Sequence, residues 1–374
     1  MSIETGLSPE PDHSPPFAKS VALRGLLGVA AGVPYLVGFY QHNSLVFVCL
    51  DSTSRSVVVT MRMDLPNGLK PEYAASAYVR FLAQRAVQGG ADTAMIFVYS
   101  EISPCCDEVS ECLVGQVEQV FTAQGLDVIG AGRIASGLFA EHLACGIPEG
   151  EAVSVASGEG LATEFDLVVS GASHLTSREQ LIDLVRGAPD RNMSKVPFFA
   201  HQFREQLLSS RQSASNETRR RRRMEDAIVA YLLSSPPPRP RTAPPRERQV
   251  ARWLVGLADC RIREPVLRRA LPGGSRMSAG AGPEAVDRMA WLVRQAPDWT
   301  LAAAGSCLAA LSWQTGNGPL AVIAAERALE CDATNVLADL VRRAVQSGMP
   351  PRAWVELMRS VSLQSLRSGV SDAD

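Results

Sequence analysis

The sequence predicts an α+β protein, with an N-terminal α/β domain on a mixed sheet, spanning residues 20–190, followed by an all-helical domain. Three observations carry this. Short apolar runs rich in Val, Phe and Ile alternate with amphipathic segments up to residue 134, the pattern of strands joined by helices. From Phe198 onward the strand signal is gone and only helical periodicity remains. Small residues and leucines recur at helical spacing on both sides of Gly316-Asn317-Gly318, so residues 302–335 read as one helical hairpin.

Composition sets the bounds. At 374 residues, with 46% hydrophobic and 20% charged side chains, the chain has the profile of a soluble globular protein of two or three domains. Residues 1–216 carry 14 basic and 23 acidic side chains and residues 217–374 carry 23 and 16, so the halves hold net charges of −9 and +7. Opposed fields of this kind bear on association rather than fold.

Taken in order, residues 1–18 are rich in Pro, Ser and acid and are expected to form a disordered leader. Residues 20–31 read as an apolar helix that Val33-Pro34-Tyr35 breaks. Leu45 to Leu50 is apolar on both faces and predicts a central strand, with residues 56–63 returning beside it as a hairpin. Residues 70–88 are amphipathic, with Pro71 in the first turn and Gly89-Gly90 as the stop. Residues 93–99 then form a buried strand, placed parallel to 56–63 by the crossover. A helix over 108–124 and a strand over 126–134 follow. Residues 151–157 add an edge strand, and 159–170 and 177–185 are helical, the second opened by Thr176-Ser177 with Glu179.

The remainder is helix. It comprises a helical segment over 199–234, a stiff Pro/Arg-rich connector over 235–246, a helical domain over 247–364 and a tail over 365–374. Within that domain, helical patterns occupy 247–258, 284–296 and 300–314, and a Gly-rich loop spans 273–282. All five tryptophans lie between 253 and 354 and are expected to pack between helices.

No set of residues reads as a catalytic signature, metal ligand group or cofactor cradle, so no cofactor and no metal are expected. The eight cysteines include no C-x-x-C pair, which fits a reducing compartment. Gly25 to Leu50 lacks Asp, Glu, Lys and Arg, but Pro34 and Gln41-His42-Asn43-Ser44 interrupt it. We therefore expect no membrane partner and a cytoplasmic location.

Two groups of residues stand as candidates. Open sheets bind ligands beyond the carboxyl ends of their strands. Here that rule selects Arg62 and Asp64, Tyr99 and Glu101, and Arg133. Arg62 is expected to pair with Asp64 or Glu101, and a structural ion pair capping the sheet is preferred over a ligand site. The second group is Arg219, Arg220, Arg221, Arg222 and Arg223, whose guanidinium groups suit phosphate or an acidic partner. Glu217, Glu225 and Asp226 flank the run and no aromatic interleaves it, which favours a solvated helix segment over nucleic-acid binding.

Two resemblances complete the reading. Leu308-Ala309, Trp313, Gly316-Asn317, Ala321 and Ala328-Leu329-Glu330-Cys331-Asp332 are in phase with the tetratricopeptide hairpin. The chain departs from that family at Ala325, where a large aromatic is usual, and at Ala333, where a proline is. From about 20 to 355 the chain also resembles the actinobacterial domain-of-unknown-function 4192 family. The matching segments are residues 32–39, the strand 45–50 ahead of residues 61–66, Gly90-Ala91-Asp92, Gly132-Arg133, Pro148-Glu149-Gly150, residues 318–328 and residues 348–354. After Gly132-Arg133 that family tends to have tryptophans, a tyrosine and paired cysteines, whereas this chain has Ile134-Ala135-Ser136-Gly137 and a lone Cys145. The resemblance implies no activity. The sequence thus points to an interaction or scaffold protein that takes a protein partner through its helical half. An enzyme or small-ligand binder at the strand ends, and nucleic-acid binding through the arginine run, are the alternatives. Oligomeric state is left open.

Overall fold

The structure, a computed structural model, describes residues 21–65, 77–101, 108–142, 152–170, 172, 174–209, 214–234, 245–271 and 281–369. The expected leader, the start of the 70–88 helix, Cys105, Cys106, Cys145, most of the Pro/Arg connector and most of the 273–282 loop lie outside these residues. The fold is α+β. Helix α1 (Gly25–Val37) precedes strands β1 (Ser44–Asp51) and β2 (Ser56–Asp64). Helix α2 (Ala77–Gln88), strand β3 (Thr93–Tyr99), helix α3 (Glu108–Ala123) and strand β4 (Asp127–Ala135) follow. Strands β5 (Leu138–His142) and β6 (Val153–Ser154) complete the sheet, ahead of helices α4 (Gly158–Val169) and α5 (Arg178–Arg186).

Among the described residues, six strands lie in the order β2-β1-β3-β4-β5-β6. Only β3 and β4 pair in parallel, and every other neighbouring pair is antiparallel, so the sheet is mixed. Strands β2 and β3 run in the same direction, as the crossover predicts, but β1 lies between them. Val46, Phe47 and Val48 of β1 are fully buried, as a central strand requires. Strand β5 was not expected. Ser136 (φ 50) and Gly137 (φ 77) form a two-residue turn with both residues left-handed, the geometry that matches the twist of a hairpin.

Proline does not end the first helix. Pro34 lies inside α1, which closes at Gly38 (φ 92) with the Gly38 amide donating to the Pro34 carbonyl. Lacking an N–H, Pro34 leaves the carbonyl four residues earlier, that of Ala30, without its helical donor. The Tyr99 hydroxyl donates to it from β3, at 3.4 Å.

Each sheet face has its own apolar core. Leu45, Phe47, Ile96 and Val98 pack with Val117 and Phe121 of α3 and Leu82 of α2. On the other face, Val46, Phe97 and Ile134 join a core that runs through α1 and on into the helical half. This second core crosses the boundary expected near residue 190. The Asp190 amide donates to Gln295, the Trp291 indole donates to the Asp190 carboxylate at 2.8 Å, and Arg186 pairs with Glu330.

The helical half comprises α6 (Val196–Ser209), α7 (Ala214–Leu232), α8 (Glu247–Leu257), α9 (Cys260–Ala270), α10 (Pro283–Arg294), α11 (Asp298–Gln314), α12 (Gly318–Cys331), α13 (Val336–Gln346), α14 (Pro351–Ser360) and α15 (Leu363–Ser368). The segment expected as helix over 199–234 is two helices, α6 and α7. Helix α9 is additional, and α15 occupies the start of the expected tail. Helix α11 is buried almost all round, from Ala303 to Trp313, which marks it as the centre of this half. It meets α12 across a turn with Gly316 left-handed (φ 84) and Asn317 capping Leu320. Gly305 permits the close approach, since a methyl there would lie 3.2 Å from the Ala328 side chain. Four of the tryptophans pack as expected, whereas Trp299 is 38% exposed beneath the Arg204 guanidinium.

Candidate functional site

The strand-end residues separate by sheet face. Side chains alternate along a strand, and the register places Arg62, Asp64 and Tyr99 on one face, with Ser44 pairing Asp64 on one side and Tyr99 on the other. Arg133 pairs with Val98, which belongs to the α2/α3 face. Arg133 is therefore on the opposite side of the sheet, 1% exposed and the largest fully buried side chain. The structure does not bring it to the other four.

Arg62 is held within the chain. It pairs with Asp64 at 2.6 Å, donates to Gln41 at 2.7 Å and lies over the Phe39 ring, 5.5 Å from its centroid. Glu101 accepts from Asn43 at 3.2 Å instead. Burial drives the Tyr99 phenol well above its ordinary pKa, and Tyr40, edge-on at 6.2 Å, adds to the shift. Its structural role is to supply the donor that Pro34 lacks. Tyr99→Phe should therefore lower the unfolding free energy by about 1 kcal/mol, the usual worth of one hydrogen bond, which urea denaturation of the two proteins measures.

The arginine run leads to a different place. Five consecutive residues on an α-helix turn through more than a full revolution, so they cannot share one face. Arg221 turns inward, pairing with Glu217 one turn earlier and with Asp259 at 2.8 Å. Burial raises the Asp259 carboxyl, but hydrogen bonds from Arg221 and Arg261 outweigh it and hold the group below its ordinary pKa. Arg222 is exposed away from this contact. Arg219, Arg220 and Arg223 line a groove of about 1290 Å³.

That groove lies between α6 and α7 over α8. Phe203 and Leu207 come from α6, Met224 and Ala227 from α7, and Trp253 and Gly256 from α8, all in the lining. The pairs are spaced three or four apart, so each helix offers one face. Gly256 lets α8 approach α7, since a methyl there would meet Met224 at 2.7 Å. Arg246, Arg248 and Arg252 also line the groove. Arg252 lies over the Phe203 ring at 4.7 Å and Arg248 over Phe199 at 5.2 Å, cation–π seats that orient both guanidinium groups along the α6 wall. Six arginines thus face the groove, and the one carboxylate among the described lining residues, Asp259, already serves Arg221 and Arg261.

The acids flanking the run point elsewhere. Glu225, expected on a solvated face, is 1% exposed. Arg367 of α15 donates to both its oxygens at 2.7 and 2.8 Å, and Arg269 of α9 donates at 2.9 Å while also pairing with Asp226. Helix α7 therefore turns Glu225 and Asp226 toward α9 and α15 and presents Arg219, Arg220 and Arg223 to the groove. Sequence reading missed Arg246, Arg248 and Arg252. Their signal is the spacing of Arg248 and Arg252 one turn apart, ahead of Trp253, on the polar face of an amphipathic helix.

Cys49 and Cys307 are buried thiols, pushed by burial to about 12, in keeping with cysteine acting as a small hydrophobe. Among the described residues there is no helix long and apolar enough to cross a membrane, and no group of three or more His, Cys, Asp or Glu that would hold a metal ion. The charge-free run from Gly25 to Leu50 is divided between α1 and β1.

A family model described as "Domain of unknown function (DUF4192)" matches residues 28–352. No curated protein and no solved structure matches the chain.

Proposed function

We propose that this chain, which belongs to the DUF4192 family, is a non-catalytic interaction protein of the actinobacterial cytoplasm that holds a protein partner on the groove between α6, α7 and α8. The groove's surplus of arginine carries the reading. A volume of about 1290 Å³ exceeds the roughly 300–1,000 Å³ of small-molecule sites, and six guanidinium groups with no free carboxylate among the described lining residues favour an acidic partner. The helical hairpin of α11 and α12, in phase with a tetratricopeptide unit, supports it by supplying the rigid centre on which the helical half is built. Arg62, engaged by Asp64 and Gln41, favours interaction over catalysis at the strand ends.

The test is affinity capture from an extract of the source cells with the intact chain and with an Arg219→Glu/Arg223→Glu/Arg246→Glu variant. These three side chains make no ion pair among the described residues, so the variant should keep its circular dichroism and melting temperature. The intact chain should retain a protein in near-stoichiometric amount, weakened by salt, and the variant should retain about tenfold less or lower. A retained metabolite with no protein, or a protein held equally by both, would overturn the proposal.

A further inference from the structure

We infer that the occupant of the groove is an amphipathic helix with acidic flanks, contributed by the partner protein; this rests on the reading of the groove as a partner surface. Three observations converge on it. The lining presents partly exposed apolar side chains along its length, Leu207, Met224 and Ala227 among them, so whatever lies there buries apolar surface and not charge alone. The walls and base are helices, whose backbone groups are already bonded, and among the described residues no strand edge borders the groove. An extended segment would find no ladder to join and would leave its own amides unpaired against apolar side chains. A helix satisfies its backbone internally and lays one apolar stripe into such a channel.

The charges fix the flanks. Arg219, Arg220 and Arg223 stand on the α7 side, while Arg248 and Arg252 are held on the α6 side by their phenyl seats. A helix lying between two rows of guanidinium groups meets both with the residues bordering its apolar stripe, and Asp or Glu there pairs with either row. Nucleic acid fits the same surface less well. Phe203 and Trp253 are 7% and 4% exposed, covered by Arg252 and by Tyr231, so no open aromatic face is offered for base stacking.

The probe is a displayed library of random peptides about four helical turns long, selected on the immobilised full chain and counter-selected on the Arg219→Glu/Arg223→Glu/Arg246→Glu variant. Enriched peptides should carry apolar residues at helical spacing bordered by Asp and Glu. They should gain helical circular dichroism when bound, and lose about tenfold or more in affinity on Met224→Glu. Binding should also fall as salt rises. Enrichment of peptides with alternating apolar residues, or of acidic peptides with no apolar stripe, would overturn the inference, as would stronger binding of a single-stranded oligonucleotide or no enrichment at all. Failure here is separable from failure of the broader proposal. If capture of the cellular partner still depends on Arg219, Arg223 and Arg246 while no helix is selected, the groove is a partner surface for another shape of ligand.

Discussion

Trp313→Ala is expected to lower the unfolding free energy by about 3–5 kcal/mol, the range for removing a fully packed tryptophan. Trp313 is 3% exposed, lies 6.0 Å from the Trp354 ring and donates its indole N–H to the Met349 carbonyl at 3.2 Å. The side chain thus joins the central helix α11 to α14 and to the turn before it. Its removal leaves a cavity lined by side chains that the surrounding helices already hold, together with a carbonyl deprived of its donor. Urea denaturation followed by fluorescence measures the loss. Trp299→Ala is the control, because that ring is 38% exposed and its cation–π contact with Arg204 is worth only about 0.5–1 kcal/mol. Equal losses from the two substitutions would contradict the packing described for α11.

Glu225→Ala should cost on the order of 3 kcal/mol. Removing one member of a buried ion pair leaves its partners charged and desolvated, a penalty of about 3–5 kcal/mol. The Arg269 and Arg367 side chains retain 20% and 25% exposure, which places the effect at the lower end. Arg269 keeps Asp226 at 2.6 Å, whereas Arg367 loses both of its hydrogen bonds. Helix α15 is therefore expected to detach first, seen as loss of amide-exchange protection over residues 363–369 well before global unfolding. Arg367→Ala should cost less, since Glu225 keeps Arg269. A larger loss from Arg367→Ala than from Glu225→Ala would refute this ranking.

What could be read from the chain follows from how strongly each segment is buried. Strands β1 and β3 are enclosed on both faces, so their apolar runs are unbroken and legible. Strand β5 is short, with Leu138 40% exposed, and only the Ser136-Gly137 pair marks it. Helix α9 is masked by Arg261, Arg263, Arg268 and Arg269 and by Pro265 within it. Pro34 misled for a physical reason, because the donor that completes Ala30 comes from Tyr99, sixty-nine residues away, and no local pattern records it. The arginine run was visible as composition, but its partition between Asp259 and the groove depends on where α8 and α9 pack. A run of like residues carries no phase, and so the sequence could not assign it a face.

The bonds that fasten α5 and its following turn span long stretches of chain: Arg186 to Glu330 is 144 residues, Asp190 to Gln295 is 105 and Asp190 to Trp291 is 101. During synthesis the nascent chain therefore carries Leu181 and Val185 out of the ribosome long before their neighbours on α10 and α12 exist. Distant contacts of this kind close slowly, and the uncovered apolar side chains are open to association with other chains in the interval. The junction that unites the sheet with the helices can therefore close only after Glu330 has been made, long after the sheet strands themselves are complete.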